Sequence, residues 1–345
     1  MLYALAVFVV VFSLVSIFIV KMIYDYQFPQ FPRHDETITA SLRYEDIQQD
    51  YPREKMHFHS GPNRLQGYLY GEQTADKLLV VVHGLGGGAD SYLPQIRYFV
   101  DQGWRVFAFD ATGSFDSEGH STIGFPQIVV DLDHALNFIN DHDELSQLPL
   151  ALFGHSWGGY AVTAILNYDH DIKGVVSVSA ANSAMDMIME QGRRMMGSMI
   201  EVQKPFLWLY QRYLFGEVMA LTGVDGINNQ SIPVYILHGT EDDVVDFNGS
   251  ALISQRNITN ENTVITPLTH KNRNGHNNIF RSEEAIAYIE TINQDYRNLY
   301  EEHNEAIPYE INQAFYERVD RFKVQDLDLK LMDSIHNFLV KAIGQ

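Results

Sequence analysis

Leu150-Ala151-Leu152-Phe153-Gly154-His155-Ser156-Trp157-Gly158-Gly159-Tyr160 is the stretch on which the reading of this chain turns. An apolar run ends in glycine. A serine follows between histidine and tryptophan, two glycines come behind it, and a helical pattern continues from Ala161 to Leu166. Residues 154–158 fit G-x-S-x-G, a sharp turn that stands a serine between a strand and a helix. The glycines have a steric reason. A serine at so tight a turn has strained backbone angles, and strand and helix approach only if its neighbours lack side chains. Its hydroxyl then stands clear of the sheet, which makes Ser156 the candidate nucleophile. Five residues also match by accident, so the rest of the chain must supply partners.

A serine hydroxyl attacks only when a base takes its proton and a carboxylate orients that base. With this turn, the chain order is serine, acid, histidine. Downstream, the apolar run Val234 to Leu237 leads through His238-Gly239-Thr240 into Glu241-Asp242-Asp243. Carboxylates at the C-terminal end of a strand share the sheet edge with the turn, so Asp242 is the first choice and Asp243 the second. The rival reading is a solvated acidic turn or helix cap, which fits two of the three acids. For the base, Gly275-His276 lies in a loop after the last strand; His270 is its rival among 14 histidines. The developing oxyanion needs backbone N–H donors. Trp157 supplies one. The other is expected from the glycine-rich loop His83-Gly84-Leu85-Gly86-Gly87-Gly88, with Leu85 as donor. That loop lacks the Gly-Lys-Ser/Thr of a phosphate-binding P-loop and does not fit G-x-G-x-x-G.

Around these motifs, short apolar runs alternate with helical patterns. Runs fall at Lys77 to Val82, Trp104 to Phe109, Leu148 to Phe153, Gly174 to Ser179, Val234 to His238 and Val264 to Pro267. Helical spacing appears over Tyr92 to Gln102 and Gln127 to Asn140. Continuous apolar runs are strands buried on both faces, and their alternation with helices predicts an α/β fold with a doubly wound, mostly parallel sheet. Lys55 to Tyr70 alternates like a hairpin, broken at Gly61-Pro62-Asn63 and again at Gly67. Ser183 to Ser231 is too long for a simple crossover and is dense in Met and aromatic residues. It reads as an inserted helical cap with its own small core, and also as a lid; Met adapts to varied apolar partners, so Met185, Met189, Phe206 and Trp208 are candidates to line a substrate site. The chain from Arg281 onward is helical and closes with an amphipathic pattern over Leu327 to Ile343.

Composition limits the partners. The formal charge is −20, which argues against nucleic acid, whose phosphates need clustered Lys and Arg. Cysteine is absent, so disulfides and thiolate metal sites are excluded. Leu2 to Val20 carries no charge and is long enough to cross a bilayer as a helix. A cleaved secretory signal is the alternative, but no basic segment precedes the run and no A-x-A-like site follows it. Tyr3, Tyr24 and Tyr26 flank it as interfacial aromatics do. Lys21 and Arg33 follow the run, which leans toward a cytoplasmic C-terminal side, although two basic residues do not fix it. The expected organisation is a transmembrane anchor and flank over 1–26, a linker over 27–54 that stands the domain off the membrane, core over 55–182, cap over 183–231, and core with an extended helical C-terminus over 232–345.

His83-Gly84-Leu85-Gly86, Asp110 with Gly113 and Ser117, the Gly154–Gly159 turn, His238-Gly239 with Asp242 and Val245, and Gly275-His276 together carry a family resemblance. The chain resembles an α/β-hydrolase-fold serine hydrolase. It is most similar to the serine aminopeptidase and monoacylglycerol lipase-like branch, which also holds cinnamoyl esterase-like enzymes. The resemblance covers about Lys55 to Phe280. It implies Ser156 as nucleophile, Asp242 as acid, His276 as base, the Leu85 and Trp157 amides as oxyanion hole, and no metal or organic cofactor. One departure lies after Asp110, where the branch reads D-x-x-G-x-G-x-S and this chain has Phe115 for the second glycine. The stretch after His276 is longer than usual, and the N-terminal span is additional. The expected activity is cleavage of an ester with an apolar acyl or aryl group, from a small or lipid-like substrate. A peptidase or amidase is the alternative within the same chemistry, and a non-catalytic binding or sensor module is the alternative of another class.

Overall fold

In the computed structural model, which describes residues 1–344, the chain opens with one long helix, α1 (Leu2–Gln27). Gln345, the last residue of the expected second core segment, lies outside the described residues. A hairpin follows, β1 (Arg53–Ser60) and β2 (Asn63–Tyr70), turning at Gly61-Pro62. Gly67 does not break it. It lies inside β2, where a Cβ would sit 2.7 Å from the Phe107 ring, so the glycine makes room for packing. The sheet continues with β3 (Leu78–Val82), β4 (Arg105–Phe109), β5 (Leu150–His155), β6 (Ile172–Val178), β7 (Val234–Gly239) and β8 (Thr263–Leu268). Its order is β1-β2-β4-β3-β5-β6-β7-β8, parallel from β4 to β8.

Every residue of β3, β4 and β7 is buried, as continuous apolar strands require. Edge strand β8 is largely exposed and carries Pro267, a residue that fits an edge. Helices cover both faces. On one side α2 (Leu93–Asp101) packs Leu93, Ile96 and Phe99 into a core shared with residues of the last helix. On the other, α3 (Gln127–Asn140) and α4 (Trp157–Ala164) bury Leu132, Leu136, Tyr160 and Ala161. Because β4 and β5 flank β3 on opposite sides, a crevice opens beyond the C-terminal ends of β3 and β5.

Between β6 and β7 the chain makes three helices, α5 (Ala184–Met196), α6 (Ile200–Phe215) and α7 (Gly223–Asn228). Ser183 caps the first, its hydroxyl accepting from Asp186 N–H at 3.1 Å, and Gly197 ends it with φ of 60°. After β8 come α8 (Glu283–Glu302), α9 (Tyr309–Tyr316), α10 (Arg321–Val324) and α11 (Leu329–Ile343). Met332, Ile335, Leu339 and Ala342 form one stripe of α11 and are buried against the sheet.

The linker does not hold the domain away from α1. Phe31 N–H donates to Gly113 O and Phe115 N–H to Phe31 O, both at 2.8 Å. Arg33 Nη1 pairs with Asp90 at 2.6 Å and Nη2 with Asp116 at 3.0 Å. From Phe12 onward α1 lies along the inserted helices. Tyr24 meets Tyr210 edge-on with centroids 5.1 Å apart, and Phe12 meets Phe206 at 5.9 Å. Val20 and Tyr24 are buried in the same core as Leu207 and Trp157. The physical reason is that an apolar helix and an apolar helical pair gain more by covering each other than by standing apart.

Candidate functional site

The turn after β5 has the steric economy its glycines imply. Ser156 sits at φ 58°, ψ −115°, a strained region for a residue with a side chain. A Cβ on Gly154 would lie 2.2 Å from Gly158 O, and one on Gly158 would lie 2.0 Å from Val82 O. Any side chain there would drive α4 off β5 or the turn off β3.

His276 reaches this serine from the loop after β8. Ser156 Oγ lies 2.8 Å from His276 Nε2, and His276 Nδ1 lies 2.8 Å from Asp242 Oδ2. Nδ1 faces only carboxylate oxygens, so it carries the ring proton and donates; Nε2 is left to accept from the serine hydroxyl. Asp242 also accepts from Val244 N–H at 2.9 Å and Val245 N–H at 2.8 Å. His238 Nε2 lies 3.2 Å from the same Oδ2 that His276 meets. Burial pushes this carboxyl up, but the hydrogen bonds from His238 and His276 and the backbone donors outweigh burial and hold it well below the usual carboxylate range. Its neighbours Glu241 and Asp243 are exposed, as is His270. Gly239 lets the two segments meet: Glu241 N–H donates to Asn274 O at 3.0 Å, and a Cβ on Gly239 would sit 2.1 Å from that oxygen.

Among the described residues, no backbone hydrogen bond is formed by the Leu85 amide, in the turn after β3, or by the Trp157 amide, first in α4. Both lie close to Ser156: Trp157 follows it, and a Cβ on Gly84, next to Leu85, would sit 3.4 Å from the serine Cβ. Asp110 and His83, which belong to the family pattern, brace this loop. Asp110 accepts from Ala89 N–H at 2.7 Å, and burial pushes its carboxyl up to about 7. His83 Nε2 accepts from Ala111 N–H at 3.0 Å, and burial lowers its ring to about 4, so it is neutral.

Sequence reasoning missed a second line of contacts behind the serine. Gly84 N–H donates to Tyr92 Oη at 3.1 Å, and Tyr92 Oη lies 2.7 Å from His155 Nδ1. His155 Nε2 lies 3.0 Å from the carbonyl of His276, so Nε2 carries the proton and Nδ1 accepts from the tyrosine. Burial lowers His155 to about 3, which keeps it neutral. The line ties the Leu85 loop, the serine turn and the His276 loop together. Only the adjacency of His155 to Ser156 marked it in sequence.

Of the four residues of the inserted helices proposed to meet substrate, none lines the apolar cavity that opens beside Leu85. That cavity is walled by Met187, Ile188, Met196, Ile200 and Leu207 with Phe125 and α1. Met185 and Met189 face the opposite side of α5, toward Ser250 and Gln255. Phe206 packs on Phe12, and Trp208 is half exposed. Helical phase explains the difference: residues 188, 191 and 195 share the face turned to the cavity, while 185 and 189 are rotated away from it toward the side of 186 and 193. Among the described residues no group of three or more His, Asp or Glu side chains is arranged to hold a metal ion.

Residues 73–220 match the family described as serine aminopeptidase, S33. Over 200 residues the chain is 26% identical to YfhR of Escherichia coli O157:H7, covering 54% of this chain and 62% of that protein. Over 179 residues it is 25% identical to lysophosphatidylserine lipase ABHD12 of Danio rerio, covering 51% and 46%. The chain thus spans less than two thirds of the length of these curated relatives. Among solved structures, esterase Pf2001 of Pyrococcus furiosus superposes with a TM-score of 0.54 at 15% identity, covering 84% of this chain and 98% of that one. Est1E of Butyrivibrio proteoclasticus, with ferulic acid bound, superposes with a TM-score of 0.50 at 15% identity, covering 70% and 97%. At such identities these two speak for fold. Taken with the sheet order, they show an α/β-hydrolase fold, and the family match likens residues 73–220, under half of the chain, to the serine aminopeptidases.

Proposed function

We propose that this protein is a membrane-anchored serine hydrolase that cleaves carboxylic esters with an apolar acyl group, by way of an acyl-enzyme. The observation that carries the reading is the unbroken line Ser156 Oγ, His276, Asp242, with 2.8 Å at each step. His276 Nε2 takes the serine proton as Oγ bonds to the ester carbon. The carbonyl oxygen becomes an oxyanion between the Leu85 and Trp157 amides. Asp242, ionised, stabilises the imidazolium and holds its Nδ1–H. The imidazolium then gives its proton to the alcohol oxygen, and the C–O bond breaks. Water, deprotonated by the same nitrogen, releases the acid and restores the serine. The esterase and lipase names of matched proteins support an ester over an amide. For the anchor, α1 offers one uninterrupted apolar helix of membrane length. The burial of Val20 and Tyr24 in the protein core supports its retention over cleavage as a signal.

A fluorophosphonate probe tests the chemistry. Wild type becomes labelled and Ser156→Ala does not; p-nitrophenyl esters are cleaved in preference to aminoacyl p-nitroanilides. An unlabelled wild type under conditions where a known serine hydrolase reacts overturns the reading in favour of a binding module. Labelling that survives Ser156→Ala overturns the choice of nucleophile.

A further inference from the structure

The apolar cavity beside Leu85 has a wall that the hydrolase core does not supply. Val20, Ile23 and Tyr24 of α1 close it on one side, facing Ile188, Met196 and Leu207 of the inserted helices. We propose that α1 is a specificity-determining wall of the acyl site. A single-chain lipid ester lays its hydrocarbon chain between α1 and the inserted helices, with its carbonyl at the Leu85 loop. This rests on the ester-hydrolase reading above and names its substrate class.

Three observations carry the proposal. The first is continuity: Leu85, whose amide is the proposed oxyanion donor, lines the cavity itself, so a carbonyl held there has apolar space on its acyl side. The second is chemistry. The lining is aliphatic, aromatic and methionine-rich, with glutamines but no charged residue. The third is level. Lys21 and Asp25, paired at 2.5 Å, are the first charges after the apolar run, so Val20 to Gln27 lies where hydrocarbon meets headgroups. Met195, Met199 and Val202, next to the cavity on the inserted helices, are exposed and continue the apolar surface of α1. A chain drawn from the bilayer therefore reaches the cavity without crossing water. The helix that would hold the protein at a membrane also shapes what it accepts.

The experiment uses the full chain in phosphatidylcholine nanodiscs and compares p-nitrophenyl butanoate with p-nitrophenyl dodecanoate. Ile23→Trp fills the cavity from the α1 side; Leu14→Trp adds the same bulk on an exposed face of α1 away from it. Ile23→Trp is expected to lower the dodecanoate-to-butanoate ratio of kcat/KM at least tenfold, and Leu14→Trp to leave it at the wild-type value. Ile23→Ala, which widens the cavity, is expected to move the preferred chain to greater length, and fluorophosphonate labelling of Ser156 reports that each variant is folded. A wild-type ratio in both labelled Ile23 variants overturns the role of α1 while leaving the ester-hydrolase reading standing. A wild type that neither labels nor cleaves either ester overturns both.

Discussion

The Tyr92 hydroxyl lies between Gly84 N–H and His155 Nδ1, so its removal is felt on two sides at once. Tyr92→Phe keeps the ring in the core and leaves a buried acceptor on His155 without a donor, at a cost of about 1–3 kcal/mol. Because the contact positions the Leu85 loop relative to the serine turn, the expected result is a fall in kcat of about tenfold with little change in KM. Steady-state kinetics on a short ester checks it, and an equal loss in both constants would show a merely structural role. That Ser156, Asp242 and His276 would come together was legible in sequence, because the serine turn and the serine–acid–histidine order single them out. Tyr92 was not, because its partners come from the loop after β3 and from β5, and only folding brings those together. Phe115 shows a different limit. It takes φ of 43°, a left-handed conformation suited to the glycine that the family pattern has there, at a cost of about 1–2 kcal/mol. The Arg33 guanidinium lies 5.0 Å from its ring, a stacking contact that offsets the strain.

Strands were easier to read than the inserted helices, and the reason is burial. A strand covered on both faces has nearly no polar residue, so β3, β4 and β7 stood out as unbroken runs. In α5 and α6 apolar residues occur on more than one face, because one face meets the core, another the cavity and part of α6 meets α1. Hydrophobic periodicity therefore located the helices without giving their phase, and the four residues named for substrate contact fell on other faces. The closing helix α11 is the opposite case: one stripe, Met332, Ile335, Leu339 and Ala342, is fully accounted for by the sheet beneath it. Gly174 of β6 lets it come close, since a Cβ there would sit 2.6 Å from Ala342 Cβ. Leu339→Ala is expected to destabilise the protein by about 2–5 kcal/mol through the cavity it leaves. Thermal unfolding in detergent measures that loss, and ester hydrolysis well below the transition should persist, because α11 supplies none of the site residues.

At the scale of the whole molecule, the linker is a strap. Arg33 joins it to Asp90 and Asp116, and the Phe31 backbone pairs with Gly113 and Phe115. Sequence alone made this segment a spacer, since its prolines and polar residues carry no periodic pattern; its order comes from the loop after β4, which it joins as an added strand-like edge. Arg33→Gln is expected to weaken the strap by about 1–3 kcal/mol, which raises the population of its open form roughly five- to 150-fold. Limited proteolysis of residues 28–52 in nanodiscs reads that change directly, and an unchanged cleavage rate would show that the backbone pairs suffice.

A tethered enzyme on a slack leash explores a hemisphere and meets its substrates from solution. Were α1 to hold this protein in a bilayer, as proposed, the strap would keep its crevice at one altitude over that leaflet. For a substrate dissolved in that same leaflet, the encounter becomes a search in two dimensions. Turnover would then follow how crowded the membrane is with substrate, and not how much membrane the solution contains.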